Sequence, residues 1–383
     1  TSSEETDKHG AYAGEYTGKW CYQRLNTRMQ ACYAAIYEAV AEGIDADEMV
    51  TVADSKSSTP PQEYPGVKVT LPRQLFSRSE AQTLYVAFTW DNPQFFFISN
   101  TYGLTGRNAD SYDSISLVFT MNAQERAAAQ RQLDRALNDI LADIRPGTYE
   151  YGKELTIHDA VAARCRYDEE AAAAADPAAQ FPNAFSAYGA LVEGRAVCEG
   201  YSRAMQLLLH KAGIECTLVS GAGKKTGVAH MWNLVTIDGR NYHVDATWDD
   251  SDDVLRHNYF NLTTEQIEIS HRLDKDNIGV DTCTATEANF FVHGKTYLHT
   301  YKQDDIAAVI AQQVRLGKDA VEMRFSDDTY GNAAVFFRQT KVLTAKVNAL
   351  LKDAGLAMWE YEVRGEPDEK ILSLYKKGAY PKG

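Results

Sequence analysis

The chain has 383 residues, enough at roughly 100 to 200 residues per domain for two or three domains that each bury a core. Hydrophobic residues at 44% and charged residues at 24% exclude wholesale disorder, a collagen-like chain and a coiled coil. The 39 basic against 53 acidic side chains give a net charge of -14, which repels phosphate and disfavours general nucleic-acid or anionic-membrane binding, leaving room only for a local basic patch.

No run approaches the roughly 20 apolar residues of a membrane helix, so no transmembrane segment is expected. The chain opens with Thr1-Ser2-Ser3-Glu4 rather than with Met, and the expectation is a removed signal or lipoprotein segment and an extracellular or surface-attached location. Six cysteines at 21, 32, 165, 198, 216 and 283 are scattered without a CxxC pair, which matches neither a disulfide scaffold nor a zinc ribbon.

In chain order, residues 1 to about 12 are polar and expected to fray. Trp20, Leu25, Met29, Cys32, Ile36 and Val40 predict one helix from Gly18 to Glu42, stopped by Gly43. Cys21 and Cys32 then share a helix and stand about 16 Å apart along it, too far for a disulfide. Ser57 to Pro65 reads as a loop, and Ser77 with Glu80 as a capping box opening a second helix. Ile115, Leu117 and Phe119 alternate as in a strand. Ala123 to Ile144 is helical, Thr156 to Tyr167 is a helix opened by Thr156, and Ala171 to Ala175 is a low-complexity helix end or loop. Past about residue 290 the order is strand (Phe290 to Val292), helix (Asp304 to Leu316), strand (Ala320 to Phe325), helix (Asn332 to Ala354) and strands at Met358 to Val363 and Ile371 to Tyr375. These patterns divide the chain into an N-terminal α/β region (1–125), a central domain (126–288) and a small C-terminal α/β sandwich (289–383) with no candidate nucleophile and a limited interface to the rest.

The chemistry concentrates in the centre. Positions 198, 201, 205, 208, 209 and 212 carry helical periodicity and Gly213 is a good residue just past the end, so Cys198 lies in the first turn of a core helix. Free N–H groups and aligned peptide dipoles there favour the thiolate that acts as a nucleophile. A strand from Ile214 to Ser220, a glycine-rich lip from Gly221 to Gly227 and two strands, Ala229 to Ile237 and Arg240 to Trp248, follow. Asp238-Gly239 between the last two predicts a two-residue hairpin with Ile237 opposite Arg240. That register pairs His230 with Thr247 and Trp232 with Asp245, and makes His230 and Asp245 diagonal neighbours on one face. Thiol, imidazole and carboxylate in this arrangement suit nucleophilic acyl transfer, with Cys198 attacking, His230 moving the proton and Asp245 holding the imidazole. His243 shares the strand face with Asp245 and serves as the dispensable comparison.

Tyr188-Gly189-Ala190-Leu191, Ala196-Val197-Cys198-Glu199-Gly200-Tyr201, His230-Met231-Trp232-Asn233-Leu234-Val235, Asp238-Gly239 and Tyr242-His243-Val244-Asp245-Ala246-Thr247-Trp248-Asp249-Asp250 resemble the core of bacterial transglutaminase-like proteins. The resemblance spans about residues 150 to 262 and departs mildly at Met231, where that superfamily usually has a small residue. It implies an α+β, papain-like core in which a helix carrying the Cys packs on an antiparallel sheet, with Cys198, His230 and Asp245 as the triad. It also implies a thiol-dependent hydrolase (protease, peptidase or amidase) ahead of transglutaminase-type cross-linking, acting on a protein or peptide substrate that the cell wall can supply. The alternative is a surface binding or scaffolding protein that keeps the fold without turnover.

Tyr188 is a candidate second oxyanion donor beside the Cys198 amide, and also a candidate core tyrosine. Trp232 and Trp248, with the aromatic run Trp90 to Phe97, are candidates either for a substrate groove or for core packing. Cys198, His230, His243 and Asp245 have ligand types suited to zinc, but His243 and Asp245 are two apart on one strand and nothing is spaced as a ligand near Cys198, so no metal or cofactor is expected. The run Asp249 to Asp253 lacks an EF-hand pattern and reads as a solvated loop, and His158 reads as a structural residue.

Overall fold

A computed structural model of the chain describes residues 16–52, 61–108, 111–250 and 254–379. The expected frayed start, part of the Ser57 to Pro65 loop and the middle of the Asp249 to Asp253 run lie outside the described residues. The fold mixes helices and sheets, as the α+β reading expects. Among the described residues no helix is long and apolar enough to cross a membrane. The described residues divide into two compact units, one within residues 1–221, 230–234 and 273–281 and the other within 222–229, 235–272 and 282–383.

In the first unit the expected helix from Gly18 to Glu42 is two helices, Trp20–Arg24 and Thr27–Glu42. The break falls where Asn26 leaves helical geometry and its side chain accepts from the Met29 N–H, the preference of Asn for an N-cap overriding the apolar period. Cys21 and Cys32 therefore sit on different helices. Lys19 gives the short first helix no side-chain cap; the buried Asp91 carboxylate does so from a distance, accepting from the N–H groups of Cys21 at 2.9 Å and Tyr22 at 2.8 Å. Asp91 ends the helix Arg78–Asp91, which starts on half of the expected capping box. Ser77 Oγ accepts from the Glu80 N–H at 3.1 Å, but the Glu80 carboxylate accepts from the Phe76 N–H and bonds Arg28 instead.

A four-stranded antiparallel sheet runs in the order Met49–Val52, Gln62–Leu75, Ser111–Phe119, Ile98–Asn108. Gly66 is needed where the second and third strands approach, since a Cβ there would lie 2.2 Å from the Leu117 carbonyl oxygen. Trp90, Phe95, Phe96 and Phe97 are all buried, so this aromatic run is core. Farther on, the helices are Ala123–Ala142 and Glu150–Arg164. Thr156 does not open the latter: it lies inside it and its hydroxyl donates to the Gly152 carbonyl at 2.9 Å, the back-bond open to a helical threonine.

The helix Cys198–Lys211 has the expected bounds, and it ends as the sequence requires. Gly213 takes a positive φ of 80°, the Ile214 N–H donates to Leu209 at 2.9 Å and the Gly213 N–H to His210 at 3.1 Å, which together satisfy the last carbonyls. This helix is tied to the end of Arg78–Asp91 by Arg203 donating to the Thr89 carbonyl at 2.6 Å and Gln206 donating to the Trp90 carbonyl at 2.7 Å. Gln206 also donates to Cys216, in the strand Cys216–Gly223, at 3.2 Å, so one buried side chain joins three segments of the unit.

In the second unit, Asp238 and Gly239 take φ of 49° and 74° between the strands Ala229–Ile237 and Arg240–Val244, which is the two-residue turn that Asp-Gly favours. The second strand is shorter than expected. It ends at Val244, and Ala246–Asp249 is a short helix capped by Asp245, so Thr247 and Asp245 are not strand residues and the expected pairs with His230 and Trp232 are not strand pairs. The C-terminal sheet has the order Tyr297–Leu298, Ala320–Phe325, Ile371–Lys376, Tyr361–Glu366, parallel in its first pair and antiparallel in the others. Phe290–His293 is a helix rather than a strand, and the expected single helix from Asn332 is two, Asp327–Arg338 and Thr340–Leu351. Strand alternation in Ala320–Phe325 sends Val321, Met323 and Phe325 into a core with Ile306, Ile310 and Leu343. Glu322 binds instead to His257, through the backbone N–H at 2.9 Å and Nδ1 at 2.7 Å, so residues before 289 are anchored on this sheet.

Candidate active site

Cys198 is the first residue of its helix and Val197 contributes no side-chain cap, so backbone N–H groups at the helix start are available to a negative charge. The Cys198 side chain is half-buried, whereas the other five cysteines are all buried. Burial pushes the thiols of Cys21 and Cys216 well up, and that of Cys32 up as well, away from the reactive thiolate. Gly200 explains one feature of the sequence around the cysteine. A Cβ at that position would stand 2.6 Å from the Ala184 carbonyl oxygen, so only glycine allows the first helical turn to lie against the backbone of Pro182–Phe185.

His230 is half-buried at the start of the strand Ala229–Ile237, with its ring stacked on Trp232 at a centroid distance of 5.9 Å. The next residue ties this strand to the cysteine helix. The Ser202 hydroxyl lies 2.8 Å from the Cys198 carbonyl oxygen and 3.2 Å from that of Met231. Two residues on, the buried Asn233 amide donates to the Ser202 carbonyl at 3.0 Å. The first unit thereby brings the backbone carrying His230 against the first turn carrying Cys198. Neither Ser202 nor Asn233 is legible in the sequence as a bridging residue, because a serine inside a helix and an asparagine inside a strand carry no signal until the two elements are packed together.

In the second unit Asp245 is buried and its oxygens are divided between two tasks. Oδ1 accepts from the N–H groups of Thr247 at 3.0 Å and Trp248 at 3.2 Å, and Oδ2 lies 3.0 Å from His271 Nε2. His271, in the strand His271–Leu273, is a site neighbour that the sequence did not disclose; it stands 26 residues beyond Asp245, outside every recognised motif. His243 is fully buried, with Nε2 3.1 Å from the Thr264 hydroxyl. Burial first, and the neighbouring His271 second, lower its pKa to about 4, so it is neutral at physiological pH.

The remaining candidates have distinct surroundings. The Tyr188 hydroxyl donates to Gln132 at 2.6 Å and its ring stacks on Phe96 at 5.5 Å, placing it in the packing between Ala123–Ala142 and the aromatic run. Trp232 is fully buried, which corrects the groove expectation for that residue: it fills core volume. Trp248 is half-buried, 4.1 Å from the His271 ring. Strand Cys216–Gly223 takes in the first part of the expected lip, and Lys224 beyond it is fastened by its N–H to Ser270 at 2.7 Å. Asp249 is buried, its carboxylate accepting from the Tyr259 N–H at 3.0 Å, rather than solvated. His158 is buried and bonds its neighbour Asp159 at 3.0 Å, as a structural residue would.

Residues 138–246 match the family model of the transglutaminase-like superfamily. That match contains Cys198, His230 and Asp245 and stops short of His271. Kyphoscoliosis peptidase of Mus musculus is 27% identical over 135 residues, which is 32% of this chain and 20% of that protein. The chain thus spans about a fifth of the length of this curated relative. Among solved structures, one of a TGase is 18% identical with a TM-score of 0.29, covering 41% of this chain and 46% of the other. A candidate cysteine protease from Cytophaga hutchinsonii is 14% identical with a TM-score of 0.24, covering 36% of this chain and 52% of the other.

Proposed function

We propose that the transglutaminase-like segment performs thiol acyl transfer on peptide or amide bonds, with Cys198 as nucleophile, His230 as proton carrier and Asp245 as the carboxylate that orients the imidazole. The observation that carries the reading is the placement of a half-buried Cys198 at an uncapped helix start, against the strand of His230, inside a segment that matches the superfamily. Cys198 sulfur bonds to the carbonyl carbon, the amine leaves with a proton from His230, and a thioester remains. Water, giving up a proton to His230, then cleaves the thioester to a carboxylic acid and the free thiol; an amine in place of water yields a cross-link. Hydrolysis is the preferred outcome, a preference that the peptidase name of the mouse relative favours. An assay of fluorescent amine incorporation beside peptide hydrolysis, with Cys198→Ala as the control, tests this reading. Activity unchanged in that variant would move the chemistry away from Cys198, and no turnover with an unreactive Cys198 would sink the reading in favour of a binding protein.

A further inference from the structure

We infer that His271 is a positioning residue for the Asp245 carboxylate, an inference that rests on the triad proposed above. Two backbone N–H groups hold Oδ1 of Asp245. His271 supplies the second anchor, with Nε2 3.0 Å from Oδ2. An ionised carboxylate only accepts, so Nε2 carries the proton and donates. On the other side of the ring, the Ser270 hydroxyl stands 2.8 Å from Nδ1.

The ring is fixed as well as bonded. Trp248 packs 4.1 Å from it and Tyr259 meets it edge-on at 5.5 Å, while His271 itself is fully buried. The Asp245 carboxylate is thus set by two N–H groups of its own short helix and by an imidazole from a separate strand. A carboxylate oxygen can accept more than one hydrogen bond, so the contact with His271 does not by itself bar one from a catalytic imidazole. Positioning matters because small misplacements of a catalytic group cost rate steeply.

The test compares the full chain with His271→Gln, whose amide N–H falls near the position of Nε2, and His271→Leu, which removes the donor. The probe is p-nitrophenyl acetate: Cys198 sulfur bonds to the acetyl carbon, p-nitrophenolate departs with the bonding electrons, and water hydrolyses the acetyl thioester. We expect His271→Leu to slow phenolate release about a hundredfold and His271→Gln to stay within about threefold of the parent. In an Asp245→Asn background, His271→Leu should cost nothing further. Equal rates for parent and His271→Leu, or a Gln variant as slow as the Leu variant at matched thermal stability, would overturn the inference. If the Leu variant does not fold, His271→Asn, whose shorter amide cannot reach Oδ2, takes its place with the same expectation. Asp245→Asn at the parental rate would sink the triad reading itself, whereas a slow Asp245→Asn beside a fast His271→Leu would sink only the role of His271.

Discussion

The Ser202 hydroxyl lies 2.8 Å from the carbonyl oxygen of Cys198, one helical turn before it, and the same hydroxyl reaches the Met231 carbonyl at 3.2 Å. A single buried polar group thus couples the first turn of the cysteine helix to the strand that carries His230. Ser202→Ala should remove the one O–H donor that these two carbonyls share and cost about 1 kcal/mol of stability. Its thermal midpoint should fall, and p-nitrophenyl acetate turnover should fall with it. A variant with the parental midpoint and rate would show that this bridge does not hold the two elements in register.

Cys198 should be the most alkylation-prone of the six thiols near neutral pH, because the other five are buried. Iodoacetamide labelling of the native protein followed by peptide mapping gives the order. Faster labelling of Cys21 or Cys165 would remove the physical basis for the nucleophile.

Within the triad, His230→Ala removes the proton carrier and Asp245→Asn presents an amide that selects the wrong tautomer, so both should lower turnover by about three or four orders of magnitude. His243→Gln is the comparison, because His243 is buried and bonded to Thr264. It should keep turnover wherever it stays folded. An inactive, folded His243→Gln beside an active His230→Ala would reassign the base.

What was legible in the sequence was what local rules determine. The cysteine helix carries its own periodicity and glycine stop, and Asp238-Gly239 specifies a turn by positive φ at both positions. What was not legible depended on partners remote in sequence. Asp245 left its strand because its carboxylate caps the following turn, a preference that competes with strand alternation and won here. Trp232 looked like groove or core with equal chemistry, and only the packing makes it core. His271 had no motif to reveal it. At Asn26 and Gln339 one apolar period continued across a break in the backbone, so each pair of helices read as one.

Acid should destabilise the fold through two histidines whose surroundings hold them neutral, His243 and His210. Burial lowers the His243 pKa to about 4, and His210 is lowered to about 4 by burial against a smaller opposing bond to the Cys216 carbonyl. The unfolded chain binds these protons near pH 6.5, so the stability they confer is present above that value and is lost as pH falls toward 4. The thermal midpoint should therefore drop between pH 6.5 and 4, and His243→Gln should flatten that drop. An unchanged slope in the variant would show that His243 is not among the groups responsible.

The most direct test of the central claim is to trap the acyl-enzyme. The native protein is mixed briefly with p-nitrophenyl acetate, quenched in acid, digested and mapped by mass spectrometry. An acetyl group on Cys198 in the parent, strongly reduced in His230→Ala and absent from the five buried cysteines, is the predicted result. No adduct on Cys198, or equal acetylation of Cys198 in His230→Ala, would contradict thiol acyl transfer by this site.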